Sequence, residues 1–123
     1  MSRTWVEEAT ILHVDDEPGF AELVAEFLER EESGLSVRTE QSVDDALPLA
    51  QSVDCIVSDY DMPGADGLEF LELVRDDFPE LPFILFTGKG SEEIASRAIS
   101  AGVTDYLQKE GGTDQYTILA NRI

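Results

Sequence analysis

Short apolar runs alternate along the chain with stretches in which apolar residues recur every three or four positions. The runs, which are candidate strands, cover residues 11–14, 35–37, 55–57, 83–86 and 103–107. Several of them are apolar throughout, which is typical of strands buried on both faces of a parallel sheet. The pattern therefore predicts five strands, each followed by a helix.

Amphipathic stripes predict the first two helices. The first stripe places five apolar side chains on one helix face: Phe20, Leu23, Val24, Phe27 and Leu28. Gly34 follows it and suits a helix C-terminus. The second stripe runs over residues 43–50, with Ser42 as its N-cap. Because Pro48 lies inside it and lacks a backbone N–H, we expect a short or kinked helix there.

The later stripes are bounded by capping residues. Leu68, Leu71, Val74 and Phe78 form the third stripe. Asp66 starts it, and Glu69 three residues later completes a capping-box pattern. A weaker fourth stripe over residues 94–99 is closed by Gly102. A fifth begins at Tyr116 and stops at the chain end without a cap. We therefore expect residues 1–123 to be one domain with its last helix cut short, as in a piece of a longer protein.

Five strand–helix units predict an α/β fold, a doubly wound parallel sheet with helices on both faces. In such sheets ligands bind at the carboxyl ends of the strands. Polar residues stand at those ends in this chain: Asp15 and Asp16 after the first run, Asp59 and Asp61 after the third, Thr87 after the fourth and Lys109 after the fifth.

Three of these carboxylates, from Asp15, Asp16 and Asp59, would crowd one cleft. Like charges at close range repel, and a divalent cation relieves that repulsion. Hard oxygen ligands suit Mg²⁺, so the sequence predicts a magnesium site. The structural alternative is that one of the paired aspartates caps a helix starting at Pro18.

A phosphoryl group beside Mg²⁺ also needs cationic and hydrogen-bonding partners. The chain has only two lysines, Lys89 and Lys109, and each follows a predicted strand. Lys109 can supply a point charge and Thr87 a hydroxyl, with Asp59 as the nucleophile that forms an aspartyl phosphate. The alternatives are a surface ion pair for Lys109 and a strand-ending β-branched residue for Thr87.

The net charge of the chain limits the kinds of partner it can bind. With 27 acidic and 8 basic residues the formal net charge is −19, which argues against nucleic acid and anionic membranes. Such a balance is typical of a very salty cytoplasm, with an ordinary acidic cytosolic domain as the alternative. No apolar run is long enough to span a bilayer, so we expect a cytoplasmic protein. Cys55 and His13 lie inside strands and are predicted to be packed rather than chemically active.

Four motifs in order resemble the receiver domain of two-component response regulators, over essentially the whole chain. They are residues 11–17 (Ile-Leu-His-Val-Asp-Asp-Glu), 59–67 (Asp-Tyr-Asp-Met-Pro-Gly-Ala-Asp-Gly), 86–88 (Phe-Thr-Gly) and 105–109 (Asp-Tyr-Leu-Gln-Lys). The resemblance implies a flavodoxin-like sheet with strand order 2-1-3-4-5. It also implies phosphoryl transfer from a histidine kinase onto Asp59, with no further turnover. The output domain or partner protein is not identified by the sequence, and a homodimer is left open.

The same resemblance implies roles for individual residues. Asp15 and Asp16 would hold Mg²⁺ together with the main-chain carbonyl of Asp61. Thr87 and Tyr106 would form a switch, in which Thr87 moves toward the phosphoryl group and Tyr106 turns inward. Taken alone, Tyr106 is equally a half-buried strand aromatic with a polar tip. The read-out face would be the fourth helix, fifth strand and fifth helix.

Two features depart from the family pattern or modulate it. Glu110 stands where the family usually has a proline after the lysine, so we expect a trans peptide between Lys109 and Glu110. Asp61 and Lys89 could pair across the mouth of the site. We hypothesise that this pair hinders the water that hydrolyses the phosphoryl group.

Three rival functions remain open. A haloacid-dehalogenase-like phosphatase would use Asp59 as nucleophile and Asp61 as general acid, although the motif follows the third strand and the chain has no length for a cap. An FMN site is disfavoured because the acidic loop after the first strand repels phosphate. A receiver-like interaction domain that is never phosphorylated is the third.

Overall fold

The computed structural model describes residues 9–31, 34–62, 64–88 and 92–108. Its strands are β1 (Ala9–Val14), β2 (Leu35–Glu40), β3 (Cys55–Ser58), β4 (Phe83–Thr87) and β5 (Asp105–Gln108). Its helices are α1 (Pro18–Glu31), α2 (Val43–Ala46), α3 (Gly67–Asp77) and α4 (Glu92–Ala101), with a 3₁₀ helix over Leu47–Ser52. All strand pairs are parallel, in the order β2-β1-β3-β4-β5. The predicted α/β class and strand order are confirmed.

The sheet separates two hydrophobic clusters, because neighbouring residues of a strand face opposite sides. The cluster on the α1 side consists of Ile11, Val24, Leu28, Cys55, Val57, Ile84 and Phe86. The larger cluster includes Leu12, Ile56 and Leu85 of the strands with Leu71 and Val74 of α3 and Ala98 of α4. Helices therefore cover both faces, as the continuous apolar runs predicted.

The predicted caps mark the observed helix starts. Ser42 accepts a hydrogen bond from the backbone N–H of Asp45 at 3.2 Å. At α3, the N–H of Glu69 donates to Asp66 and the N–H of Asp66 donates to Glu69, each at 2.9 Å, so the capping box is present. α2 ends after one turn at Ala46, and the chain continues as the 3₁₀ helix, in whose first turn Pro48 lies.

Two predicted core positions are wrong. Leu23 is 51% exposed and Ile99 is 70% exposed. Successive helical residues are about 100° apart, so a neighbour of a buried residue can point to solvent. In α1 the buried line runs through Ala21, Val24 and Leu28, and in α4 Ala98 is the buried residue. A stripe of apolar residues located the helices correctly but misplaced the edge of each buried face.

The bounds of two strands also differ from the predictions, whereas the end of α4 agrees with them. β2 extends to Glu40 rather than ending at Val37, because its alternating, partly exposed residues hid its length. β5 begins at Asp105, after Val103. Gly102 ends α4 with a φ of 95°, the left-handed conformation expected of a C-terminal glycine. The predicted fifth helix from Tyr116 lies outside the described residues.

Among the residues that the structure describes, no helix combines the length and apolar character needed to cross a membrane.

Candidate functional site

Three carboxylates meet at the carboxyl ends of β1 and β3. These strands are hydrogen-bonded neighbours, with Val14 opposite Ser58, so the residues that follow them emerge side by side. One carboxylate oxygen from each of Asp15, Asp16 and Asp59 lies within 4.8 Å of the other two. This is a set of hard oxygen donors of the kind that divalent cations take. The structure brings together the three acidic residues that the sequence predicted would meet.

Burial raises the energetic cost of holding these three carboxylates together. Asp15 is fully buried and Asp59 is 7% exposed, whereas Asp16 is partly exposed. Buried carboxylates are costly unless hydrogen bonds or cations compensate them. Backbone amides provide part of that compensation: the N–H of Glu17 donates to Asp15 Oδ1 at 3.0 Å, and the N–H of Tyr60 donates to Asp59 Oδ1 at 2.7 Å.

The main chain fixes the positions of these aspartates as an extension of the sheet. The N–H of Asp15 donates to the carbonyl of Glu40 at 3.0 Å. The N–H of Asp59 donates to the carbonyl of Val14 at 2.9 Å. Both residues therefore follow directly where the ladder ends, which fixes the positions of their main-chain atoms.

Thr87 and Tyr106 lie on the neighbouring strands. Thr87 is the last residue of β4 and is fully buried. Tyr106 is opposite Leu85 in the β4–β5 register, and its ring packs against the larger hydrophobic cluster. Its phenolic oxygen is buried and has no hydrogen-bond partner among the described residues. The switch role of the two residues stays a prediction.

The roles of three further predicted residues stay predictions. Lys109 and Lys89 lie outside the described residues, and so does the peptide between Lys109 and Glu110. Asp61, two residues after Asp59, is exposed. The proposed pairing of Asp61 with Lys89, the roles of both lysines and the main-chain contribution of Asp61 therefore stay predictions.

Two residues that the sequence analysis missed hold the main chain beside Asp59. The hydroxyl of Ser58 donates to the carbonyl oxygen of Asp59 at 2.8 Å. A Cβ at Gly67 would lie 2.3 Å from that same oxygen, so only glycine permits this approach. One signal was available for Gly67. It is the first residue of α3, a position that tolerates most residue types, so a glycine there suggests a close approach of another group.

The two other buried reactive side chains belong to the packing. Burial, with a smaller contribution from the charge of Asp54, raises the pKa of the Cys55 thiol to about 12, so the thiol stays protonated well into the alkaline range. His13 is fully buried, and its ring centroid lies 6.3 Å from that of Phe20 in α1. Both were predicted to be packed within strands.

Comparison with known proteins gives a consistent family. A family model described as the response regulator receiver domain matches residues 11–120. The nitrogen assimilation regulatory protein NtrX of Azorhizobium caulinodans is 37% identical over 116 residues, which cover 91% of this chain and 25% of that protein. The C4-dicarboxylate transport transcriptional regulatory protein DctD of Pseudomonas aeruginosa is 36% identical over 112 residues, covering 87% of this chain and 23% of that protein.

A solved structure agrees with these sequence matches. The chemotaxis response regulator CheY4 of Vibrio cholerae superposes with a TM-score of 0.82 at 28% identity, covering 94% of this chain and 99% of that one. The chain thus spans about a quarter of NtrX and DctD but nearly all of CheY4. From its motifs, its strand order and these matches, the chain belongs to the response regulator receiver domains.

Proposed function

We propose that this domain is a phosphoacceptor switch that takes a phosphoryl group from a histidine kinase onto Asp59 in the presence of Mg²⁺. The observation that carries the proposal is the approach of carboxylate oxygens from Asp15, Asp16 and Asp59 to within 4.8 Å. Receiver domains as a family partner with histidine kinases, which supports a phosphorylated histidine of such a kinase as the phosphoryl donor.

Asp59 suits the nucleophile because its carboxylate is held in one orientation. Its Oδ1 accepts the Tyr60 N–H at 2.7 Å, and its main chain continues the β3 ladder. In the proposed step an Asp59 carboxylate oxygen bonds to phosphorus while the phosphorus–nitrogen bond of the donor breaks. The bonding electrons return to the imidazole nitrogen, which takes up a proton. The product is an aspartyl phosphate and a free histidine on the kinase.

The neighbouring groups fit the charge that this step involves. Asp15 and Asp16 would hold Mg²⁺, together with Asp59 and the main-chain carbonyl of Asp61. When bound there, the ion would supply positive charge that offsets the charge of the phosphoryl oxygens. Lys109 would add a second positive charge, and Thr87, buried at the end of β4, would donate its hydroxyl to a phosphoryl oxygen.

The response to phosphorylation would pass through Thr87 and Tyr106. Movement of the Thr87 hydroxyl toward the phosphoryl group would leave space that the Tyr106 ring fills. In this structure the phenolic oxygen of Tyr106 is already buried, which corresponds to the inward end of that movement. Among its described residues α4 buries only Ala98, and so light a packing favours movement of the helix. NtrX and DctD are much longer than this chain. We therefore propose that an output domain or partner protein binds the read-out face, which consists of the fourth helix, the fifth strand and the predicted fifth helix.

A turnover phosphatase of the haloacid-dehalogenase type is not favoured. The receiver-domain match runs over residues 11–120, and Asp59 follows the central strand β3. We expect the domain to catalyse only its own phosphorylation and dephosphorylation. A small phosphoester offered with Mg²⁺ should therefore not be hydrolysed.

The test is phosphorylation by acetyl phosphate, followed by intact-protein mass spectrometry with and without Mg²⁺. We expect the wild type to gain one phosphoryl group only with Mg²⁺, and Asp59→Asn to gain none. Asp76→Asn, which alters an exposed carboxylate near the far end of α3, is the matched control and should behave as wild type. Equal mass gain in Asp59→Asn and wild type would refute the assignment of the phosphoacceptor.

A further inference from the structure

Both ends of one peptide group beside the phosphoacceptor are tied by side chains. The peptide that joins Asp59 to Tyr60 accepts the Ser58 hydroxyl at its carbonyl, at 2.8 Å. The N–H of the same peptide donates to Asp59 Oδ1 at 2.7 Å. A peptide group is planar and its C=O and N–H point in opposite directions, so fixing one fixes the other. The Ser58 hydroxyl therefore acts on the Asp59 carboxylate through a rigid unit.

Burial strengthens this connection. Ser58 is fully buried as the last residue of β3, so water does not compete for its hydroxyl. A hydroxyl in such a position keeps its partner, because leaving a buried donor unsatisfied is costly. Its acceptor, the Asp59 carbonyl, lies just beyond the strand.

Gly67 confines the same peptide from the opposite element. A Cβ there would lie 2.3 Å from the Asp59 carbonyl oxygen and 3.0 Å from Tyr60 Cα. Its own N–H donates to the Tyr60 carbonyl at 2.9 Å. The last residue of β3 and the first residue of α3 thus hold the 59–60 peptide between them.

We propose that Ser58 is a positioning residue for the phosphoacceptor. Its hydroxyl orients the 59–60 peptide, and the N–H of that peptide sets the rotation of the Asp59 carboxylate. Ser58 itself touches no reacting atom. The effect on phosphorylation rests on the proposed function, whereas the orientation of the Tyr60 N–H stands on the hydrogen bonds alone.

Removal of the hydroxyl should loosen the carboxylate without removing it. In Ser58→Ala the 59–60 peptide loses the bond at its carbonyl, and the Tyr60 N–H becomes less well aimed at Oδ1. Loss of orientation around a reacting group slows reactions by about tenfold or more. We therefore expect the rate of phosphorylation to fall about tenfold.

The experiment combines two readouts on four proteins. Hydrogen exchange of the Tyr60 amide, followed by NMR without Mg²⁺, reports the peptide. The rate of phosphorylation by acetyl phosphate with Mg²⁺ reports the chemistry. The variants are Ser58→Ala, Ser58→Thr, which keeps the hydroxyl, and Cys55→Ala. Cys55 lies in the same strand, is buried and also loses one heavy atom, so it is the matched control for packing.

We expect faster Tyr60 exchange and slower phosphorylation in Ser58→Ala, with both restored in Ser58→Thr and both unchanged in Cys55→Ala. If Ser58→Ala fails to fold, Ser58→Cys replaces it, because a thiol fills the space but is a weak donor. Unchanged Tyr60 exchange in the variant that lacks the hydroxyl would overturn the proposal, and so would an equal effect in Cys55→Ala. Altered exchange when no protein, wild type included, accepts a phosphoryl group would uphold the positioning role and sink the proposed function instead.

Discussion

The Nε atom of Arg75, in α3, donates a 2.9 Å hydrogen bond to the carbonyl oxygen of Gly102, just beyond the end of α4. The Nη1 atom of the same side chain donates to the carbonyl of Phe78, at the end of α3, also at 2.9 Å. A helix carries unpaired carbonyls and partial negative charge at its C-terminus. One guanidinium group therefore satisfies the ends of two neighbouring helices.

Replacing Arg75 by methionine should destabilise the fold, because the apolar stem is kept while both hydrogen bonds are lost. Hydrogen bonds from a charged group contribute about 1.5–3 kcal/mol, so we expect the free energy of unfolding to fall by about 2 kcal/mol. Urea denaturation measures this change. Arg38→Met is the matched control, since Arg38 is 57% exposed and its ion pair with Glu40 is 3.9 Å long. Equal losses in the two variants would contradict the role of Arg75.

The carboxylate cluster gives a prediction that does not depend on phosphorylation. Without divalent ions, Asp59→Asn should raise the free energy of unfolding by about 1 kcal/mol, because one of three mutually repelling charges is removed. The asparagine oxygen can still accept the Tyr60 N–H. Adding Mg²⁺ should then stabilise the wild type more than the variant, because ligands that bind the folded state add to stability.

Thermal denaturation with EDTA and with Mg²⁺ makes this comparison. Asp76→Asn changes the net charge equally but lies away from the cluster on an exposed part of α3, so it should keep the wild-type response to Mg²⁺. If Mg²⁺ stabilised Asp59→Asn and the wild type to the same extent, Asp59 would not contribute to the ion site.

Much of the fold and the acidic site follows from the sequence, because both depend on regular patterns. Five apolar runs fix the strands, and strand ends in a parallel sheet share one edge, so Asp15, Asp16 and Asp59 had to converge. Capping at Asp66 also depends on residues close in sequence. The strand order itself came from the family resemblance, since periodicity does not say which strands are neighbours.

Contacts between segments that are separated in the chain could not be predicted from the sequence. Arg75 meets Gly102 only because α3 and α4 pack side by side, and Gly67 meets the Asp59 carbonyl only because α3 begins against the end of β3. Neither pairing leaves a periodic signal. The prediction that Leu23 and Ile99 are buried was wrong for a related reason. The exact rotation of a helix about its axis is set by the elements packed against it.

The buried thiol makes stability sensitive to alkaline pH. The pKa of Cys55 rises from 9.0 to about 12 in the folded protein, chiefly through burial. Above about pH 9 the unfolded chain loses this proton and the folded chain keeps it, so stability falls by up to about 1.4 kcal/mol per pH unit until the folded pKa is reached. Between about pH 8 and pH 10.5 the wild type should lose about 2 kcal/mol more than Cys55→Ala. Parallel losses in urea denaturation would contradict the shifted pKa.

The net charge of −19 predicts a fold that salt stabilises. Repulsion among exposed carboxylates opposes the compact state, and raising NaCl from ~0.1 M to ~1 M shortens the screening length from about 10 Å to about 3 Å. We expect the free energy of unfolding, measured with urea, to rise over this range. A variant carrying Glu22→Lys, Glu26→Lys and Asp44→Lys, all at exposed positions, should be more stable at low salt and show a shallower dependence. An identical salt dependence in the two proteins would mean that salt acts on hydrophobic burial rather than on charge, since screening must weaken as the net charge falls.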